Sequence, residues 1–115
     1  MEGWRDGDAA EILATVTEDC VITESHGLTY HGKDQVVRWV ETWFGAGGAV
    51  LAWEIRSLEA THEADFFEWA FACRWLGEEY EFEGASVVRF RDEKIVSIRE
   101  YATTAPIYDW EGVWR

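Results

Sequence analysis

The chain has 115 residues, a hydrophobic fraction of 48% and a formal net charge of −13, since 23 acidic residues outnumber 10 basic ones. This length predicts one domain, residues 1–115, whose core needs neither disulfide nor metal. The negative charge disfavours binding to nucleic acid and to anionic membranes. The apolar content is too high for a disordered acidic segment.

Cys20 and Cys73 stand alone, and no cysteine and histidine cluster has the spacing of a metal site. We therefore predict no metal and no cofactor. No apolar run reaches the roughly 20 residues that cross a bilayer, and the first residues do not resemble a signal peptide. Together with two reduced thiols, this predicts a soluble, cytoplasmic protein.

The first half of the chain predicts two helices and two short strands. Asp8 precedes an apolar segment and Glu11 follows three residues later, which is the pattern of a capped helix start. Residues 20–25 alternate as a strand that places Glu24 on an otherwise apolar face. After a turn and a return strand over 28–31, residues 33–44 carry apolar side chains at helical spacing.

The second half predicts four long strands, over residues 50–60, 66–76, 80–91 and 95–101. Asp92 and Glu93 form the turn of the last hairpin. On the final strand Glu100 shares a face with Val96 and Ile98, so a second carboxylate lies on an otherwise apolar face. We expect the aromatic tail, residues 103–115, to pack on the body.

Helices followed by long antiparallel strands predict an α+β fold. In this fold a cone-shaped, curved antiparallel sheet wraps around the N-terminal helices, as in a cystatin-like roll, and leaves a central pocket.

Several local motifs resemble one known family. They are Gly7-Asp8 before the first helix, the strand DCVITES, the helix that opens at Gly32, and the terminal pattern F-x-D-x-K-I-x-x-x-R-x-Y that ends at Tyr101. Together they cover nearly the whole chain and resemble the nuclear transport factor 2-like superfamily, specifically its SnoaL-like and ketosteroid isomerase-like members. That superfamily contains isomerases, cyclases, epoxide hydrolases and non-catalytic modules, so the resemblance implies a fold more specifically than a function.

The resemblance also implies roles for two acidic residues. Glu24 falls where ketosteroid isomerases carry their general base, and Glu100 falls where epoxide hydrolases and SnoaL-type cyclases carry a late-strand acid. The partner residues of those enzymes fall near Ser86, Phe67 and Trp69, so this chain departs from both patterns there.

We therefore predict Glu100 and Glu24 as catalytic acid and base, with the Tyr30 hydroxyl as a hydrogen-bond donor. Two carboxylates in one apolar cavity raise the pKa of at least one of them, which makes a usable acid near neutral pH. The alternative is that these acids are structural, satisfied by Tyr or Trp donors or by solvent. His26 and His31 flank the turn, and we expect them to be exposed.

Aromatic side chains predominate in the predicted lining of the pocket and favour a hydrophobic, cyclic ligand. The predicted ligand-binding residues are Trp39, Trp43, Trp53, Phe67, Trp69, Phe71, Trp75, Phe82 and Ser86. The alternative is that these rings fill the cavity and leave no pocket.

The opposite sheet face mixes small apolar residues with charges of both signs, which predicts a homodimer through this outer face. Its predicted members are Ala52, Arg56, Leu58, Glu68, Ala70, Ala72, Arg74, Ala85, Val87 and Arg89. Exposed cross-strand ion pairs are the alternative.

Two functions remain open. The first is a SnoaL-like protein that binds a hydrophobic small molecule and performs cofactor-free acid–base chemistry of the isomerase, cyclase or hydratase type. The second is a non-catalytic ligand-binding or dimerisation module of the same fold. The sequence leaves open whether the protein is an enzyme.

Overall fold

The computed structural model describes residues 2–103 and 105–115, and within them the chain forms three helices and six strands. The helices are α1 (Glu2–Asp6), α2 (Ala9–Ala14) and α3 (Lys33–Gly45), and the strands are β1 (Val16–Thr23), β2 (Thr29–His31), β3 (Ala49–Ala60), β4 (Ala64–Trp75), β5 (Glu78–Arg91) and β6 (Lys94–Ala102). The predicted α+β class with a curved sheet is confirmed, and the sheet does not close into a barrel. No helix among the described residues is long and apolar enough to span a membrane.

The strands form one sheet in the order β2-β1-β6-β5-β4-β3. All neighbours are antiparallel except β1 and β6, which run parallel, with Ile22 beside Ile98 and Thr23 beside Arg99. Glu24 directly follows β1, and Glu100 lies near the end of β6. This pairing of the first and last strands therefore brings the two acids to the same end of neighbouring strands.

Helices α2 and α3 cover one face of the β1 side of the sheet and form the core there. Val36 and Val40 of α3 are fully buried against Cys20 and Ile22 of β1. Partly buried aromatic residues surround this cluster, namely Trp4, Tyr30, Trp39 and Phe44. We call the covered face of the sheet the inner face and the other the outer face.

Two β-bulges make the alternation of side chains along β3 differ from the predicted one. The pairing shifts between Val50 and Ala52 and again between Ile55 and Ser57. As a result Leu58 pairs with Phe67 on the inner face, and the Ser57 hydroxyl donates to Glu68 on the outer face. The expected placement of Leu58 on the outer face is wrong, because each inserted residue reverses the direction of all that follow.

Strands β3, β4 and β5 extend beyond the region that the helices cover. β6 ends at Ala102, opposite Gly84, while β5 begins six residues earlier, at Glu78. The radius of gyration is 15.5 Å, compared with about 13 Å for a compact chain of this size. The molecule is therefore elongated, and Trp75 and Tyr80 at its far end are exposed.

The aromatic tail does not pack on the body, so that prediction is wrong for the isolated chain. Its large apolar side chains are all exposed, from 48% for Tyr108 to 85% for Trp114. The described residues of this segment form no helix or strand, and two of its rings contact each other: Trp110 and Trp114 lie 5.3 Å apart.

The N-terminal cap of α2 offers a direct test of the local fold. Asp8 Oδ1 accepts a hydrogen bond of 3.1 Å from the Glu11 amide, as predicted. We expect Asp8→Ala to lower the free energy of unfolding by about 1 kcal/mol, because a free amide of the helix loses its partner. Urea denaturation measures this. Asp6→Ala is the matched control, and an equal loss there would contradict the capping role.

Candidate active site

A tight turn after β1 positions Glu24. The Glu24 amide donates to the Leu28 carbonyl and the Gly27 amide donates to the Glu24 carbonyl, both at 2.9 Å. Gly27 adopts a φ of 99°, which glycine tolerates best. One carboxylate oxygen, Oε2, then lies 3.4 Å from the Tyr30 hydroxyl and 3.1 Å from His26 Nε2.

The surroundings of Glu24 act on its proton affinity in opposite directions. Burial raises the pKa of Glu24, while the His26 imidazole and the Tyr30 hydroxyl lower it. The Tyr30 pKa rises to about 12, through burial and the neighbouring charge of Glu24. Tyr30 therefore keeps its proton at neutral pH and remains a hydrogen-bond donor.

Glu100 is the most perturbed acid of this site. It lies on β6, two residues after Ile98 and on the same inner face, and it pairs with Ser86 of β5. Burial raises its pKa to about 7, and the negative charge of Glu24 adds to the shift. A carboxyl group with this pKa is partly protonated at neutral pH, so it can either donate or accept a proton.

A buried hydrogen bond fixes the wall beside Glu100. The Trp69 indole donates to the Ser86 hydroxyl at 2.9 Å, and the two residues are only 3% and 4% exposed. Gly84, opposite Trp69, leaves room for the ring, since a Cβ there would lie 2.6 Å from it. Among the described residues the Ser86 hydroxyl donates to no acceptor, so its proton is available to a ligand.

The predicted aromatic lining falls into two clusters. In the first, Tyr30 stacks on Trp39 at 4.6 Å and Trp39 contacts Trp4 at 5.0 Å, beneath α3. Trp43 joins this cluster through Trp4 and Phe44. The second cluster covers β3 to β5 and consists of Trp53, Trp69, Phe71 and Phe82, in edge-to-face and tilted contacts between 5.2 and 6.4 Å.

The structure brings some predicted site residues together and separates others. Tyr30 and Trp39 lie beside Glu24, while Ser86 lies across from Glu100 and pairs on its other side with Phe67. Trp75 is six residues beyond Trp69 on β4, about 20 Å along an extended strand, and it is 38% exposed. Trp75 therefore lies away from the two acids.

Sequence reasoning undervalued His26. Its side chain is 66% exposed, as expected, but it also contacts Glu24. The signal was present in the spacing Glu-x-His across a turn. Trp4 was missed as well, because the short helix α1 that carries it was not predicted.

Two surface grooves, of about 350 and 390 Å³, lie on the outer face. Neither is lined by Glu24 or Glu100, so the predicted pocket between the two acids stays a prediction. Among the described residues no group of three or more His, Cys, Asp or Glu side chains is arranged to hold a metal ion.

Comparison with known protein families identifies the family of this chain. A profile of the SnoaL-like domain matches residues 1–98. The chain belongs to the SnoaL-like domain family. No curated protein sequence matches this SnoaL-like chain at a significant level.

Solved structures share the fold at low sequence identity. An epoxide hydrolase of the LEH-like type from M. tuberculosis superposes with a TM-score of 0.79 at 17% identity, covering 89% of this chain and 75% of that one. A protein of Xanthomonas campestris assigned as a polyketide cyclase gives 0.72 at 17%, covering 87% and 82%. A ketosteroid isomerase-like protein of Catenulispora acidiphila, in complex with trimethylamine, gives 0.71 at 15%, covering 89% and 80%.

Proposed function

We propose that this SnoaL-like protein binds a hydrophobic, cyclic small molecule on its inner face and converts it by cofactor-free acid–base chemistry. The observation that carries the proposal is Glu100, a carboxyl group on the inner face whose pKa is raised to about 7. Groups with such a shift beside a charged partner are over-represented in active sites.

The two acidic residues have different roles, one as proton donor and the other as proton acceptor. Protonated Glu100 donates its proton to an oxygen or carbon of the substrate, and Glu24, which lies 3.1 Å from His26 Nε2, accepts one from the substrate or from water. Tyr30 donates a hydrogen bond to Glu24 and orients it. Isomerisation, cyclisation and hydration need only such transfers, in which the protons given and taken balance.

The side chains next to the acids support the choice of ligand. Half-buried Phe67 offers flat apolar surface near Glu100. Buried Trp69 holds the Ser86 hydroxyl in place, and that hydroxyl supplies one hydrogen bond. An oxygen-bearing ring compound matches this set of one donor among aromatic walls. The fold neighbours named as an epoxide hydrolase and as a polyketide cyclase are consistent with this class of chemistry.

A ligand screen followed by a turnover assay tests the proposal. Polycyclic aromatic and terpenoid compounds are screened by thermal shift, and the hits are incubated with the protein and followed by mass spectrometry. We expect Glu100→Gln to lower kcat by about 10²- to 10⁴-fold while the thermal shift persists. Glu81→Gln, an exposed residue on the outer face, is the matched control. Normal turnover by Glu100→Gln would refute the catalytic role.

The second candidate is a non-catalytic module of the same fold. Buried Trp69 and half-buried Trp53 occupy the inner face of β3 and β4, which favours a filled interior. In either form of this module no turnover is seen with the wild-type protein. A ligand-binding module still shows a thermal shift with some compound, whereas a dimerisation module with a filled interior shows none.

We also propose that the protein is a cytoplasmic homodimer joined through the outer face. Two unpaired thiols support the location. The elongated shape and the mixed character of the outer face support the dimer, since Ala52, Val87 and exposed Phe66 lie there among charged residues.

A further inference from the structure

Two arginines lie next to each other on the outer face. Val87 pairs with Arg99 and Arg89 pairs with Ser97, so the two guanidinium groups occupy diagonal positions on β5 and β6. They line the groove of about 350 Å³ together with Val21, Thr23, Phe66, Val87 and Tyr101. The Arg99 guanidinium lies over the Tyr101 ring, 5.1 Å from its centre. We call this the Arg89–Arg99 groove.

These arginines lack acidic partners in a chain rich in acids. Among the described residues neither has a carboxylate within 4.0 Å, whereas Arg56, Arg74 and Arg91 each form an ion pair. Among the described residues Arg5, Arg38, Lys94 and Arg115 are likewise without an ion pair, but Arg89 and Arg99 lie at neighbouring positions on one face of the sheet. Like charges at neighbouring positions repel each other, so this groove favours an acidic occupant.

The C-terminal segment, residues 105–115, has the complementary character. Among the described residues Asp109 and Glu111 form no ion pair. Trp110 lies between these two acids and Trp114 follows them in the chain. Their side chains are 59% and 85% exposed, respectively. The segment thus presents carboxylates and large apolar rings together, which match the charges and the apolar floor of the groove.

The route of the tail directs it toward the outer face. The Thr103 amide and hydroxyl both donate to the Glu83 carbonyl, at 2.9 and 3.2 Å, and fix the start of the tail beside β5. Ile107 then borders the second groove, which shares Tyr101 with the Arg89–Arg99 groove. The tail therefore leaves the sheet at the face that we propose as the dimer interface.

We propose that the C-terminal segment of each protomer lies in the Arg89–Arg99 groove of a second copy. Asp109 and Glu111 then meet the two arginines, and Trp110 and Trp114 cover the apolar floor. Because one chain carries both halves of the contact, two copies satisfy it reciprocally in an isologous dimer. The inference rests on the proposed homodimer and names the segment that forms it.

Charge reversal in two full-length variants tests this contact. R89E/R99E makes the groove acidic, and D109R/E111R makes the tail basic. We expect each variant alone to weaken self-association by about tenfold or more, because like charges now meet. An equimolar mixture restores both contacts, since the acidic tail of the first variant meets the basic groove of the second, and the basic tail of the second meets the acidic groove of the first. Sedimentation velocity measures the affinity, and native mass spectrometry resolves the heterodimer by mass.

R38E/K94E is the control for R89E/R99E, since it makes the same change of net charge at two exposed residues outside both the groove and the tail. We expect it to associate like the wild-type protein. Dimers of R89E/R99E and D109R/E111R as tight as the wild type would overturn the tail contact and leave the dimer standing. A monomeric wild-type protein would overturn the dimer as well. Two weakened variants that fail to recover on mixing would contradict a contact between the tail of one copy and the groove of another.

Discussion

Glu100→Gln is expected to stabilise the protein at pH 8 and to leave its stability unchanged at pH 4. The folded-state pKa is about 7 against an ordinary value of 4.5. Between these values the folded protein holds a proton that the unfolded chain has lost, so the free energy of unfolding falls as pH rises from about 4.5 to 7. At one pKa unit per 1.36 kcal/mol, the full loss is about 3 kcal/mol at most. The glutamine side chain stays neutral at every pH, so the variant does not lose this stability.

Urea denaturation of both proteins at pH 4, 6 and 8 measures this. The free energy of unfolding of the variant minus that of the wild type should be near zero at pH 4 and should reach about 2 to 3 kcal/mol at pH 8. Titrating groups that do not interact with Glu100 cancel in that difference, so what remains comes from Glu100 and from Glu24, whose charge acts on it. Glu81→Gln, on the exposed outer face, should differ little from the wild type at any pH. A difference for Glu100→Gln that does not change with pH would show that Glu100 titrates normally.

Such a result would connect stability with function. An acid that destabilises its own fold at neutral pH needs another reason to be there, and active sites commonly hold groups of this kind. The neighbouring charge of Glu24 raises the pKa of Glu100 further and so adds to this loss of stability. Such a result would therefore support our proposal that Glu24, which follows β1, and Glu100 on the parallel strand β6 act as a proton-transfer pair.

Local patterns in the sequence predicted most of this arrangement. The Asp8 cap, the helix over Lys33–Gly45 and the last hairpin depend on residues close together in the chain. Asp92 and Glu93 take positive φ values of 52° and 67°, as a two-residue hairpin turn requires. The alternation that placed Glu100 beside Ile98 on one face also depends only on near neighbours.

The missed features depend on partners that are distant in sequence or absent from a single chain. The bulges in β3 are defined only against β4, so Leu58 could not be assigned to a face from its own segment. Parallel pairing of β1 with β6, which sets the distance between the acids, links residues about 75 positions apart. The exposed tail, in turn, was expected to pack because its rings are apolar, and our proposal supplies the missing surface on a second copy.

Gly84→Val is expected to be the most destabilising single change at this site. A Cβ at Gly84 would lie 2.6 Å from the Trp69 ring and still closer to the Tyr101 carbonyl. The carbonyl belongs to the paired strand β6, and the ring is held by Ser86 and by Phe82. Neither can move without breaking a strand pairing or a buried hydrogen bond, so the variant should lose about 3 kcal/mol or more.

Gly45→Ala is the matched control for Gly84→Val. Gly45 ends α3, is exposed, and has no atom within 4 Å of its would-be Cβ. We expect it to change stability by no more than about 0.5 kcal/mol. Urea denaturation compares the two, and the NMR signal of the Trp69 indole proton reports whether its bond to Ser86 survives. Equal stability of both variants, with that signal unshifted, would mean that β5 and β6 can separate freely at Gly84. Water could then reach Glu100, and the burial that raises its pKa would be weaker.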